Sequence, residues 1–281
     1  DIETDKVVLE LPAPAAGVLA AINKGDGATV VSGEVIAMID TEASAGVAAP
    51  AAAAAAAVTP SPAAAPTAAA PVFDDYVNWQ RIEEFARAGT TGPIPRAARE
   101  LMGSKVARLF HEHVLVKEAE TKEVTPWHHD DPYYGIDGMD NVSIWIPLDP
   151  IPDSVALRFI PGSHRWNARY IPRRFADQSA YVDAAHDFVH LPSPEELEHQ
   201  ATLSTPVTIG DAVAFHYRTL HAAPGTSGTG VTRRRAVSFR YVGDDARFAT
   251  RPWRTSPPLE GNGLRPGDEL DDPRFPVVAR A

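Results

Sequence analysis

Hydrophobic and polar residues alternate along several stretches of the chain. Residues 105–117 (KVARLFHEHVLVK) have the period of a strand, which places His111, His113 and Leu115 on one face. Residues 141–148 (NVSIWIPL) alternate like a half-buried strand, and 157–160 (LRFI) run into a Pro161-Gly162-Ser163-His164 turn. After a Gly210-Asp211 turn, residues 212–216 (AVAFH) predict another strand, and 234–242 (RAVSFRYV with its leading Arg) a further one. Several strands separated by turns, with little long helix between them, predict a mainly β antiparallel sandwich or barrel with a few helices.

A second, shorter group of strands is expected at 7–11, 17–22 and 34–39, divided by Pro12 and Pro14, by the 24–27 turn (KGDG) and by Ser32-Gly33. Between the two groups the pattern disappears. From 43 to 71, 22 of 29 residues are Ala or Pro and none is charged. Five prolines break any long helix there, and such a stretch buries too little apolar surface to offset its ordering entropy. The expected organisation is a small all-β module (1–42), a semi-rigid linker (43–71) and one larger domain (72–281).

Composition narrows the chemistry. The 281 residues carry a formal net charge of −11, which argues against nucleic acid or an anionic membrane surface as partner. There is no Cys, so disulfides, thiolate-bound zinc, iron–sulfur clusters and thiol nucleophiles are excluded, and any metal must take His and carboxylate ligands. No stretch is apolar for about 18 residues and no basic-then-apolar leader opens the chain, so a soluble, cytoplasmic protein is expected. The first residue is Asp1 rather than Met, in mid-pattern, which suggests a fragment.

Residues 125–132 (TPWHHDDP) concentrate the metal-binding potential. Side chains at i and i+2 of an extended segment share a face, so a His-x-Asp triplet offers one nitrogen and one oxygen to the same ion. The doublets allow two such triplets, His128/Asp130 and His129/Asp131, and spacing alone does not separate them. A second His from a facing strand would complete the two-His, one-carboxylate triad of non-haem Fe(II) oxygenases, which leaves coordination positions open for a 2-oxo acid and dioxygen. His111 and His113 could chelate by the same spacing, but no carboxylate with matching spacing joins them, and packing or substrate contact is the alternative. A 2-oxo acid with a distal carboxylate needs a buried cation. The Arg233-Arg234-Arg235 run is a candidate, with Arg234, Ala236 and Ser238 on one strand face; the alternative is a solvated basic edge.

Two resemblances sharpen this picture. Residues 3–7 (ETDKV), 14–19 (PAAGVL), 25–27 (GDG), Val30, Gly33-Glu34 and Ile39-Asp40 resemble the lipoyl domain of the dihydrolipoamide succinyltransferases of 2-oxoglutarate dehydrogenase complexes. The resemblance implies that Lys6 is the lipoate-bearing lysine, that the linker is a swinging tether, and that the dehydrogenase complex is a partner. Only five residues precede Lys6, where the family has about as much chain before its lysine as after it. Half of a paired sheet leaves its apolar face and edges open, so Lys6 is expected to escape efficient lipoylation. An intact-mass gain of one lipoyl group after expression with a lipoate ligase would show otherwise.

The blocks TPWHHDDPYY, VSIWIPLDP, LRFIPGSHRW, GDAVAFHYRTLHAAPG and RRRAVSFRYVGDD, in that order over about 73–255, resemble the phytanoyl-CoA dioxygenase family of Fe(II)/2-oxoglutarate-dependent oxygenases. The resemblance implies a double-stranded β-helix, or jelly roll, with His128, Asp130 and His221 as iron ligands and His216 as a rival for the third. It further implies that Arg234 grips the 5-carboxylate of 2-oxoglutarate, with Thr125, Trp145 and Lys117 lining the cosubstrate pocket, and that a small molecule and dioxygen are the other reactants. Where the family usually has Asn-Gly, this chain has Ser154-Val155. The family also has several dozen further residues ahead of Val72, so an uncovered barrel edge is expected. Three other readings stand beside the oxygenase: a jelly roll with an inactive site, a His/carboxylate zinc hydrolase, which would leave Arg234 without a role, and a lipoyl carrier fragment.

Overall fold

The computed structural model describes residues 72–174, 179–182, 187–259 and 263–281, together with four short strands nearer the N-terminus. The chain divides into two compact units, the smaller built on Val8–Thr67 and the larger on Ala68–Ala281. In the N-terminal region lie β1 (Ile2–Glu3), β2 (Val8–Leu9), β3 (Val18–Ile22) and β4 (Ala37–Asp40). Strands β3 and β4 pair antiparallel, Val18 opposite Asp40. Lys6 and the 43–71 linker lie outside the described residues.

The larger unit opens with β5 (Val72–Tyr76), α1 (Glu83–Thr90) and α2 (Pro93–Met102). The long β6 (Val106–Glu118) follows, then β7 (Thr125–His128), β8 (Ile136–Asp137), β9 (Asn141–Pro147) and β10 (Arg158–Phe159). The remainder is α3 (Pro194–Glu198), β11 (Leu203–Ser204), β12 (Val213–Phe215), β13 (His221–Ala223), β14 (Arg233–Val242), β15 (Arg247–Phe248) and β16 (Val277–Arg280). One sheet has the order β12-β9-β14-β6-β16, with β5 also on β6; a second has the order β11-β10-β13-β7. No helix among the described residues is long and apolar enough to cross a membrane.

Strand β14 shows why this sequence makes a layered structure. Its residues from Ala236 onward are buried on both faces. One face carries Val237, Phe239 and Tyr241, which pack with Leu109 and Ile144 against Phe85 of α1 and Ile94 of α2. Helix α1 lies so close that a Cβ on Gly89 would come within 2.9 Å of the Phe239 ring, so a glycine is needed there. The other face carries Arg234, Ala236, Ser238 and Arg240, which line a cavity. Strands of one chain therefore serve an apolar core and a polar site by their period of two.

Among the described residues, β5 and β16 are the outermost strands beside β6. Strand β5 pairs with β6 from Val72 opposite Lys117 to Tyr76 opposite His113, and β16 pairs with its start at Val106–Arg108. Helices α1 and α2 supply the packing layer. Pro93 opens α2, where its missing N–H costs nothing, and Gly103 closes it at φ 68°, donating to the Glu100 carbonyl.

Candidate metal centre

The centre is built on the pairing of β7 with β13, which sets His128 opposite His221. Both side chains project to the same face, and their ring centroids are 4.2 Å apart. Asp130 follows two residues after His128, where the backbone leaves the strand and its amide donates to the Tyr217 carbonyl at 2.7 Å. The Asp130 Oδ1 atom lies 3.9 Å from His128 Nε2 and 4.0 Å from His221 Nε2. These three residues form the one cluster among the described residues whose donor atoms could share a metal ion, all within 4.8 Å of one another.

The surroundings aim these donors. His128 Nδ1 is 2.8 Å from the Pro126 carbonyl and His221 Nδ1 is 2.9 Å from the Thr219 carbonyl. A carbonyl only accepts, so each Nδ1 carries the proton and each Nε2 turns its lone pair towards Asp130. On the far side of the carboxylate, the Ser143 hydroxyl donates to Oδ2 at 3.0 Å and Arg240 Nε stands 3.6 Å away. Burial pushes the Asp130 carboxyl up, but Arg240, His221 and His128 together outweigh it and bring it down to about 2. Burial and the neighbouring His221 lower His128 to about 3, and burial lowers His221 as well. Two neutral imidazoles and one carboxylate are the forms a divalent metal requires.

The geometry separates the two His-x-Asp triplets. His129 and Asp131 face away from the cavity: His129 Nε2 accepts the Tyr170 amide at 3.0 Å, and Asp131 accepts from Arg169 Nε at 2.8 Å and Arg218 Nε at 3.1 Å. This second triplet ties the turn after β7 to neighbouring segments. His216 is also committed elsewhere, its Nε2 bonding the Met139 carbonyl at 2.9 Å while its Nδ1 accepts the Arg218 amide at 3.0 Å. His186 lies outside the described residues. Burial lowers His129 to about 4, so its folded form favours the neutral imidazole. The stability this contributes is fully present above the unfolded value near 6.5 and is lost as pH falls towards 4. His129→Gln is expected to flatten the decline of Tm between pH 7 and pH 5 and to leave metal uptake intact. Thermal melts across that range check it; an unchanged slope would contradict it.

The same cavity, about 140 Å³, extends to Arg234, Lys117, Thr125 and Trp145. Arg234 lies opposite Lys117 in the β14–β6 register and is only 6% exposed. Its Nε has no hydrogen-bond partner, and its guanidinium carbon is 5.5 Å from the centroid of the Trp145 ring. Burial lowers Arg234 to about 10. Burying a guanidinium with an unsatisfied Nε is costly, and an anionic guest would relieve that cost. Lys117 Nζ, by contrast, donates to the carbonyls of Glu123 at 3.0 Å and Pro224 at 3.1 Å; burial and then Arg234 lower it to about 7. Trp145 Nε1 and Ser238 Oγ are likewise buried without partners, which fits a polar guest at this end.

Two supporting residues escaped the sequence reading. Arg240 continues the inward series Arg234, Ala236, Ser238 by the same period of two, so the signal was present. Ser143, inward on β9 opposite Arg240, carried none beyond alternation. Arg240→Met is expected to weaken metal binding about 10–100-fold, as loss of an outer partner of a ligand does. A metal titration of that variant checks it, and unchanged affinity would count against the assigned role.

The chain matches the phytanoyl-CoA dioxygenase (PhyH) family over residues 24–236 and the biotin-requiring enzyme family over residues 1–39. Over 50 residues it is 72% identical to the dihydrolipoyllysine-residue succinyltransferase component of the 2-oxoglutarate dehydrogenase complex of Cupriavidus necator. That match takes in 18% of this chain and only 12% of the relative, and the corresponding protein of Azotobacter vinelandii is 56% identical with the same coverage. Among solved structures, the non-haem alpha-ketoglutarate-dependent carbocyclase SnoK from nogalamycin biosynthesis is similar at TM-score 0.55 and 24% identity, covering 75% of this chain and 76% of that one. The epimerase SnoN in complex with Fe3+, alpha-ketoglutarate and nogalamycin RO is similar at TM-score 0.56 and 25% identity, covering 73% and 78%. EctD from S. alaskensis with 2-oxoglutarate and 5-hydroxyectoine is similar at TM-score 0.51 and 18% identity, covering 70% and 64%. The two facing sheets are thus the jelly roll shared with these oxygenases.

Proposed function

The chain belongs to the phytanoyl-CoA dioxygenase family, and from that membership and the geometry of its cavity we propose that it is a non-haem Fe(II)- and 2-oxoglutarate-dependent dioxygenase. It hydroxylates a small molecule while 2-oxoglutarate is converted to succinate and carbon dioxide. The observation that carries this reading is the convergence, in one cavity, of two imidazoles and a carboxylate with a buried guanidinium whose Nε has no hydrogen-bond partner.

In this reading His128, Asp130 and His221 hold the iron, which when bound supplies the activation of dioxygen coupled to cosubstrate decarboxylation. The rest falls to the chain. Arg234 offers a planar fork to the 5-carboxylate of 2-oxoglutarate and stays charged when desolvated. Lys117 is held by backbone carbonyls beside it, while Thr125 and Trp145 bound the pocket. The Ser143 hydroxyl donates to the second oxygen of Asp130 and the Arg240 charge stands 3.6 Å from it, while Oδ1 faces the imidazoles. The arrangement gives Arg234 a role that a zinc hydrolase would not.

With Fe(II), ascorbate, dioxygen and 2-oxoglutarate, the protein is expected to release succinate slowly even without its prime substrate. Absence of any iron-dependent succinate would contradict the proposal.

A separate reading applies to the N-terminal unit, favoured by its 72% identity to a succinyltransferase over 50 residues. Residues 1–42 are proposed as a lipoyl-like module carried on the 43–71 tether ahead of the oxygenase domain at 72–281. Lys6 is its candidate lipoate carrier and a 2-oxoglutarate dehydrogenase complex its candidate partner.

A further inference from the structure

Arg234 stands near the start of β14, and Arg240, beside Asp130, lies six residues further along it. A strand rises about 3.3 Å per residue, so the Arg240 end of the cavity lies well away from the proposed cosubstrate anchor. That end is walled by Tyr134, whose ring centroid is 5.6 Å from the Arg240 guanidinium carbon, and by Tyr133, whose ring meets His128 edge-on at 6.1 Å. Tyr181 meets Tyr133 edge-on at 6.3 Å. Tyr133 also anchors two polar residues of the cavity wall. Its hydroxyl donates to the Arg173 carbonyl at 2.8 Å and accepts the Arg173 amide at 3.1 Å, and its own carbonyl accepts the Ser256 amide at 2.8 Å. These bonds hold the backbone of Arg173 and leave its side chain out. The neighbouring arginines are committed: Arg169 to Asp131 and Asp137, Arg218 to Asp131, Arg251 to Asp137, and Arg174 to Ser179 and Ala180. Among the described residues, nothing forms an ion pair or hydrogen bond with the Arg173 guanidinium, and the residue lines the cavity half-buried.

We propose that Arg173 is the specificity-determining residue for the prime substrate, and that this substrate is a small, largely apolar molecule bearing one carboxylate, which the Arg173 guanidinium takes as an ion pair. The proposal rests on the oxygenase reading above. Among the described residues, the lysines and arginines lining the cavity are Lys117, Arg173, Arg234 and Arg240. Arg234 and Lys117 share the cosubstrate end, and Arg240 faces Asp130. Arg173 is therefore the cation left for a second anion. A guanidinium meets a carboxylate with a planar two-point fork and keeps its charge throughout the pH range of a folded protein. Its mounting is firm, since both backbone groups of residue 173 are tied to one buried tyrosine, and a recognition group on a fixed support loses less on binding. The rings of Tyr133 and Tyr181 supply the apolar surface on which the rest of the guest can lie. With a single cation uncommitted and the Asp74 carboxylate on the same cavity, a monoanion fits this end better than a phosphate dianion.

Phenylacetate, phenylacetamide and phenethylamine share a ring and differ in charge, so together they test this choice. Each is titrated calorimetrically into the anaerobic protein loaded with Fe(II) and 2-oxoglutarate, which occupies Arg234 beforehand. Phenylacetate is expected to bind at least about tenfold more tightly than the amide or the amine. Arg173→Met is expected to bring the carboxylate and the amide to equal affinity, and Arg173→Lys to restore part of the preference, since an ammonium keeps the charge and loses the fork. A merely structural arginine would shift all three probes alike. If Arg173→Met does not fold, Arg173→Gln reads the same ratio. Equal binding of carboxylate and amide by the wild-type protein, a preference for the amine, no binding of any probe, or a carboxylate preference that survives in the variants would overturn the proposal. Absence of a visible charge-transfer band from the loaded wild-type protein would fall instead on the iron reading. The same ratio, measured without metal on the wild type and Arg173→Met, would still decide whether Arg173 takes the carboxylate.

Discussion

Asp130→Ala is expected to abolish both iron uptake and succinate release. Removing only an outer partner of a metal ligand costs about 10–100-fold in affinity, so removing the single anionic donor of a two-imidazole site should cost more than about 100-fold. The loss has a second part. Arg240 is buried at 5% exposure and faces Asp130, so the alanine would leave its charge uncompensated. Breaking a buried pair from one side costs about 3–5 kcal/mol, and the variant should melt earlier than wild type even without metal. Asp130→Asn keeps the shape and an acceptor for Ser143, so it should recover part of the stability and little of the metal binding. Metal titration and thermal melts of the two variants, side by side, separate the roles. A variant that retains wild-type succinate release would remove Asp130 from the site.

The second large effect is expected at Arg234. Truncating one member of a buried, hydrogen-bonded charge pair costs about 2–5 kcal/mol, so Arg234→Ala should raise the KM for 2-oxoglutarate by about 30-fold or more. Arg234→Lys should rescue this incompletely, since an ammonium cannot reproduce the bidentate fork. The sign of the stability change is a sharper test. Without cosubstrate the guanidinium is buried and its Nε has no partner, so Arg234→Met should leave the ligand-free protein as stable as wild type or more so. The rise in Tm that 2-oxoglutarate gives the wild-type protein should vanish in this variant. A strongly destabilised Arg234→Met protein would mean that the arginine is structural.

Much of the β framework was legible because its strands alternate: β6, β9, β12 and β14 all lie where period-two patterning places them. Helices α1 and α2 were not. Each spans ten residues or fewer, and Pro93 and Pro95 resemble loop punctuation until Pro93 is seen at a helix start. The edge strand β5 is five residues long with two adjacent aspartates, a pattern that local propensity disfavours and that pairing with β6 makes favourable. At the centre, the His-His-Asp-Asp run is symmetric in sequence. The tie is broken by which triplet faces the cavity, and that follows from the pairing of His128 with His221. Arg240 shows the opposite situation: its inward position was readable from the series beginning at Arg234, but its purpose depends on Asp130, more than a hundred residues away in the chain.

The most direct test of the central claim is optical. Under anaerobic conditions, Fe(II) and 2-oxoglutarate together should give this protein a visible charge-transfer band that saturates at one iron per chain. The band should disappear in His128→Ala, Asp130→Ala and His221→Ala, and persist in His129→Gln. A wild-type protein without the band, or a band that survives loss of those three residues, would contradict the account.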